Sequence, residues 1–283
     1  MQPTYKRQRF LLSFIRQLED GVTTTDIQKL VFLYTKKEGS YFYEFIPYKF
    51  GPYSFQLAED IDILRRDGYL SIENAQVKPT GEYKREKLFW IADERGNDLI
   101  RKAYREFPYY AINSEISDRL FARNEAERFR NEKQNYHRVE KVLFTIGYEG
   151  RSIEAFLNTL IQNDIRLLCD VRKNPLSRKQ GFSKNKLMHI TETIGIDYIH
   201  IPALGIESDK RSSLENAEDY RRLFEGYEKT LPSLEQELER LYFLLKANVR
   251  IALMCYEKNA CMCHRHLIRD YMSNMREIRS VDL

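Results

Sequence analysis

Apolar residues recur at helical spacing through the first third of the chain. They gather into short β-branched runs through its second half. Phe10, Leu11, Phe14, Ile15 and Leu18 fall on one helical face. Thr23-Thr24-Thr25-Asp26 then offers caps for a second helix carrying Ile27, Leu30, Val31 and Tyr34. Phe45 to Phe50 is an aromatic stretch broken by Pro47, and Gly51-Pro52 reads as a turn with the proline placed to open a helix. Leu57, Ile61 and Leu64 form that helix's stripe, and Gly68 ends it. Tyr69 to Ile72 and Lys87 to Ile91 read as two strands around a Lys-rich loop, followed by helix over 93–105. Helices followed by a two-stranded ribbon are the order of a winged helix. This predicts a module over 1–112 that recognises DNA or a protein partner. Charge dominates 114–140, with Arg119, Arg123, Glu125, Glu127, Arg128, Arg130, Glu132 and Lys133, and predicts a charged helical linker over 113–138.

From 139 the pattern becomes strand–helix alternation. Val142–Ile146, Ile165–Cys169, Tyr198–Ile201 and Val249–Met254 are strand-like, separated by helical stretches at 153–161, 183–194 and 216–247, with a last helix over 264–272. Such alternation predicts an α/β domain over 139–283, with a mainly parallel sheet and flanking helices. In open parallel sheets ligands bind beyond the carboxyl ends of the strands. Here those ends carry Gly147-Tyr148-Glu149-Gly150-Arg151-Ser152, then Asp170 and Arg172, then Pro202-Ala203-Leu204-Gly205, then Cys255 and Glu257. Four strand ends are thus expected to converge on one pocket.

Composition narrows the classes. Apolar residues make up 42% of the 283, enough for a core in each of two domains. The net charge of +4 is compatible with a nucleic-acid or nucleotide ligand without requiring one. No apolar run approaches the roughly 18 residues of a membrane span, and the first residues lack the apolar stretch of a secretion signal. Three of the four cysteines cluster at 255–263 instead of spreading as a disulfide framework, which predicts an intracellular, cytoplasmic protein.

The densest chemistry lies in Cys255 to His266, which holds those three cysteines, Glu257, Arg265 and two of the five histidines. Three chemistries fit. Cys255, Cys261, Cys263, His264 and His266 offer zinc ligands, although their spacing is not a standard zinc knuckle. Cys263 at a helix N-terminus would have a depressed pKa and serve as a nucleophile. Alternatively the cysteines pack, and Asp170, Glu257 and His264 act as acid and base while Arg172 and Arg265 hold phosphate or carboxylate, with no metal required. Gly147 and Gly150 permit close approach of an anion, and Arg172, Lys173, Arg178, Lys179, Lys184 and Lys186 around Pro175 and Phe182 make a basic loop suited to phosphate.

Two resemblances add to this. Thr145 to Ser152, then Asp170-Val171-Arg172 with Pro175, Ser177-Arg178 and Gly181 to Lys184, then Gly195-Ile196, Tyr198, His200, Pro202 and Leu204-Gly205, and finally Cys255, Glu257 and Cys263-His264-Arg265 together resemble the domain-of-unknown-function 488 family. The resemblance implies a compact α/β fold whose activity is not established. Its motif falls on Gly147, Tyr148, Asp170, Arg172, Pro175, Ser177, Lys184, Cys255, Glu257, Cys263, His264 and Arg265, with Cys261 and His266 outside the pattern. In the first half, Asp26 to Tyr34 and Tyr48 to Ser54 are similar to the Panacea domain family, which includes SocA-like antitoxins. That similarity implies a neutralising or partner-recognising role.

The combined expectation is an enzyme, probed as a hydrolase, acting on a nucleotide-like or nucleic-acid substrate. Asp170, Glu257, His264 and Cys263 are its candidate catalytic residues. Gly147, Tyr148, Arg151, Arg172, Ser177, Arg178, Lys184, Cys255 and Arg265 are its candidate substrate contacts. The competing expectation is a non-catalytic regulator that senses a ligand, or a DNA-binding, antitoxin-like protein.

Overall fold

The structure, a computed structural model, describes residues 3–18, 21–81, 88–207, 209–211 and 216–283. The chain forms two compact units, Met1–Asn135 and Tyr136–Leu283.

In the first unit α1 (Lys6–Ile15) leads through β1 (Val22–Thr23) into α2 (Thr24–Glu38). Thr23 and Asp26 cap α2 reciprocally: the Thr23 hydroxyl accepts from the Asp26 N–H at 3.0 Å, and Asp26 accepts from the Thr23 N–H at 3.2 Å. A hairpin follows, β2 (Ile46–Tyr48) and β3 (Gly51–Tyr53), in which Pro47 pairs with Pro52. The expected proline-opened helix is therefore displaced. Pro52 can sit in this two-stranded ribbon because, among the described residues, neither edge pairs with a further strand, and α3 (Phe55–Arg66) starts instead at Ser54, whose hydroxyl accepts from the Leu57 N–H. β4 (Leu70–Glu73) and β5 (Gln76–Pro79) complete an antiparallel sheet of order β1-β5-β4. The second ribbon strand is thus Gln76–Pro79. Residues 88–91, expected as that strand, are not strand, and Lys87 lies outside the described residues. Asn74 and Ala75 both take positive φ, which closes the hairpin so that its second strand begins at Gln76 and not at Lys87.

α4 (Gly96–Glu106), the short α5 (Ser117–Leu120) and α6 (Arg123–Gln134) finish the unit. The segment expected as a linker is part of its core. Leu120, Phe121, Ala126 and Phe129 are buried with Tyr104, and the Phe121 and Phe129 rings meet at 5.0 Å. Two of these, Ala126 and Phe129, suffice to dock α6, whose other face is solvated.

The second unit is a three-layer α/β structure. β6 (Val142–Gly147), α7 (Ile153–Gln162), β7 (Leu167–Asp170), α8 (Lys184–Thr193), β8 (Asp197–His200), α9 (Ala217–Glu228), α10 (Glu235–Asn248), β9 (Arg250–Cys255), α11 (Arg265–Arg276) and β10 (Ser280–Asp282) follow in order. The five strands form one parallel sheet, β8-β7-β9-β6-β10. Every residue of β6, β7 and β9 is buried, as a sheet covered on both faces requires. Leu143, Leu167, Cys169, Ile251 and Leu253 pack with Leu238, Leu241, Leu245, Ile268 and Met272 of α10 and α11. β10 was not expected; its three residues are too few to carry a periodic signal. No described helix is long and apolar enough to cross a membrane.

Candidate functional site

Register places the strand ends side by side. Gly147 pairs with Cys255, Asp170 with Met254, and Asp170 with His200. Beyond this rim lies a cavity of about 350 Å³, lined among others by Tyr148, Arg172, Ser177, Arg178, Cys255 and Glu257. Lys173 of the expected basic loop lines it too, as do Asn174, Leu176, Ile206 and Tyr256, which were not among the expected contacts. Each neighbours an expected residue or follows a strand end, so position along the chain was the signal available for them.

Arg172 is the fixed point of the cavity. Its Nε and Nη2 donate to the two oxygens of Asp170 at 2.8 and 2.6 Å, and its Nη1 donates to the Tyr148 hydroxyl at 3.0 Å and the Phe182 carbonyl at 2.9 Å. Burial works against the Arg172 charge, but Asp170 and Tyr148 outweigh it, so its pKa is raised. Asp170 has no exposed surface, and its carboxylate also accepts from the Arg172 N–H and, at 2.6 Å, from the Tyr198 hydroxyl. Both oxygens are thus engaged, and Asp170 positions Arg172 instead of facing the cavity. Burial and Asp170 together push the Tyr198 phenol up. Tyr148 is held in turn by stacking on Phe182 at 4.3 Å, and the Lys179 ammonium donates to its carbonyl at 2.9 Å. Burial lowers the pKa of Lys179 against the pull of Glu149.

A second buried group lies behind the rim. His264 Nε2 is 3.1 Å from the Val171 carbonyl oxygen, which only accepts. That nitrogen therefore carries the proton, and Nδ1 turns its lone pair to Cys263 Sγ at 3.7 Å and Cys255 Sγ at 4.0 Å. The three ligand-capable atoms lie within 4.8 Å of one another. Cys261 is exposed, and His266 Nδ1 contacts the Cys263 carbonyl, so neither joins the triad. The expected depressed Cys263 thiol is corrected: burial, and then Cys255, raise its pKa well above the ordinary value. Desolvation outweighs the partial charge of a helix terminus here.

Other expected contacts have structural positions. Arg265 is 1% exposed; it donates to Thr145 Oγ1 at 3.2 Å and to the carbonyls of Glu257 and Lys258 at 2.6 and 3.1 Å. It clamps the loop that carries Glu257. At Gly147 a Cβ would stand 1.8 Å from the Glu257 carbonyl oxygen, and at Gly205 one would stand 2.3 Å from the Lys173 nitrogen. These glycines let backbone meet backbone across the rim. Arg151 donates to Thr159 Oγ1 along α7, and Lys184 is exposed at the start of α8. Neither lines the cavity.

No curated protein and no solved structure matches the chain. Residues 152–272, which run from the start of α7 into α11 and include most of the rim, match the model of the family described as Domain of unknown function DUF488.

Proposed function

We propose that the second unit is a hydrolase acting on a nucleotide or nucleic-acid substrate in the cavity at the strand ends. One observation carries this reading: the cavity sets the cations Arg172, Lys173 and Arg178 around a single acid, Glu257. Fixed guanidinium groups suit phosphate, because their forked donors match its oxygens. Arg178 offers that fork, whereas Arg172, with four of its five N–H groups engaged by Asp170, Tyr148 and Phe182, adds a fixed positive charge and one remaining donor. Tyr256, 47% exposed and edge-on to Tyr148 at 5.3 Å, offers a face on which a base stacks. In this reading water attacks phosphorus and the ester P–O bond breaks: Glu257 takes the proton of the attacking water, and the Tyr148 hydroxyl, which accepts from Arg172, gives a proton to the leaving oxygen.

A metal-assisted form of this reaction is favoured by the buried Cys255–Cys263–His264 triad. Three protein ligands leave a fourth position open, as catalytic zinc sites do, and the Val171 carbonyl already orients the histidine. Zinc held by Cys255, Cys263 and His264 would supply a bound water of lowered pKa. Metal analysis of the purified protein decides between the two forms.

The expected experiment is turnover and binding of a nucleotide and oligonucleotide panel. Glu257→Gln should lose turnover by about 100-fold or more while keeping affinity. Arg178→Ala should weaken binding. Ligand binding without turnover in the unaltered protein would favour the ligand-sensing regulator instead.

For the first unit the reading is a winged-helix-like module that docks a partner, as the Panacea-like residues imply. The α1-β1-α2-β2-β3-α3-β4-β5 order and the β1-β5-β4 sheet support it. Exposed Asp62 and Asp67 offset Arg65 and Arg66 on and just after α3, which favours a protein partner over DNA.

A further inference from the structure

Lys29 lies in the second turn of α2 with 2% of its surface exposed. Among the described residues none hydrogen-bonds or ion-pairs with its ammonium; Asp26 acts on it through space. A buried, unpartnered lysine is costly, and proteins keep few of them. This one lines a cavity of about 310 Å³ within the first unit. The cavity opens on Thr24 and Thr25 in the first turn of α2, where helix N–H groups favour an anion. Its other walls are largely aromatic: Tyr48, Phe50 and Tyr53, with the Tyr48 and Tyr53 rings 4.8 Å apart. Gly51 makes that wall possible, with φ +92 and no room for a Cβ, which would meet the Tyr104 ring at 2.3 Å. Gln28 also lines the cavity, but both ends of its amide are engaged by the Ser54 backbone at 2.9 and 2.8 Å.

We propose that this cavity binds a small carboxylate with a flat apolar body, the carboxylate pairing with the Lys29 ammonium. One buried cation matches one negative charge. A dianionic phosphate would also face Asp62 at the mouth, which is exposed and 3.5 Å from Arg65. The aromatic walls take the apolar body, and desolvation of the pair strengthens it.

The test titrates 2-naphthoate and its neutral isostere 2-naphthamide into the full-length protein. Naphthoate should bind roughly tenfold tighter than the amide, and Lys29→Met should remove that difference. Arg178→Ala, in the other unit, should leave naphthoate affinity unchanged; its loss would move the binding to the C-terminal cavity and overturn the proposal. Independently, naphthoate but not naphthamide should slow reductive methylation of Lys29 in the unaltered protein, read by mass spectrometry. Equal affinity for acid and amide, undiminished naphthoate binding by Lys29→Met, or unprotected labelling would each overturn it.

Discussion

Two residues carry the sharpest consequences. Gly147 has backbone where any other residue would place a Cβ, 1.8 Å from the Glu257 carbonyl. Gly147→Ala must push the Glu257 loop off the strand end, against the three hydrogen bonds of Arg265. The expected cost is about 3 kcal/mol in denaturant unfolding, with loss of ligand affinity in the cavity. Lys29 acts through protons. The unfolded chain holds this proton up to the ordinary 10.5, the folded protein only to about 7, because burial outweighs the pull of Asp26. Between those values the unfolded state binds the extra proton, so stability rises with pH through that window, and below it the burial cost is present in full. Lys29→Met should therefore be more stable than the unaltered protein by a few kcal/mol at pH 6, with the advantage shrinking toward pH 10. A pH-independent difference in melting would contradict this account. Nothing in the amphipathic pattern of α2 announced Lys29, since a lysine beside an apolar stripe reads as solvated; only the neighbouring hairpin closes over it.

At the scale of elements, α6 shows how little apolar content a helix needs. Its charged sequence reads as a spacer, yet Ala126 and Phe129 sit in the core against Tyr104 and Phe121. Phe129→Ala should cost about 3 kcal/mol in the unfolding of the first unit, where a spacer helix would lose almost nothing. The strands of the second unit were legible because buried parallel strands are continuous apolar runs, and their ends were legible because parallel connectivity puts every carboxyl end on one side. The pairing among those ends was not. Asp170 and Arg172 are two apart in sequence, which is equally consistent with two ligand contacts or with a closed pair. Only the approach of Tyr148 and Tyr198 from other segments makes it the latter.

For the whole molecule, the two units carry different kinds of cavity. The cavity at the strand ends of the second unit is rimmed by three cations and one acid, and the one beside α2 in the first unit is aromatic with a single buried amine. The division was suggested by the change from helical to strand–helix periodicity near 140, whereas the contents of each cavity depend on contacts between distant segments. If the first unit docks proteins, a mobility-shift assay of the full chain with duplex DNA should show retardation only at low salt, abolished as salt rises and insensitive to sequence. Sequence-selective retardation that survives moderate salt would restore a DNA-reading role.

The glycine contacts at 147 and 205 bear on how such a protein diverges. With main chain resting directly on main chain, the mouth of the C-terminal cavity has no slack to widen or narrow. Relatives that accept a different molecule should therefore differ in the side chains at 174, 176, 178, 206 and 256, while the spacing of the frame around them stays the same.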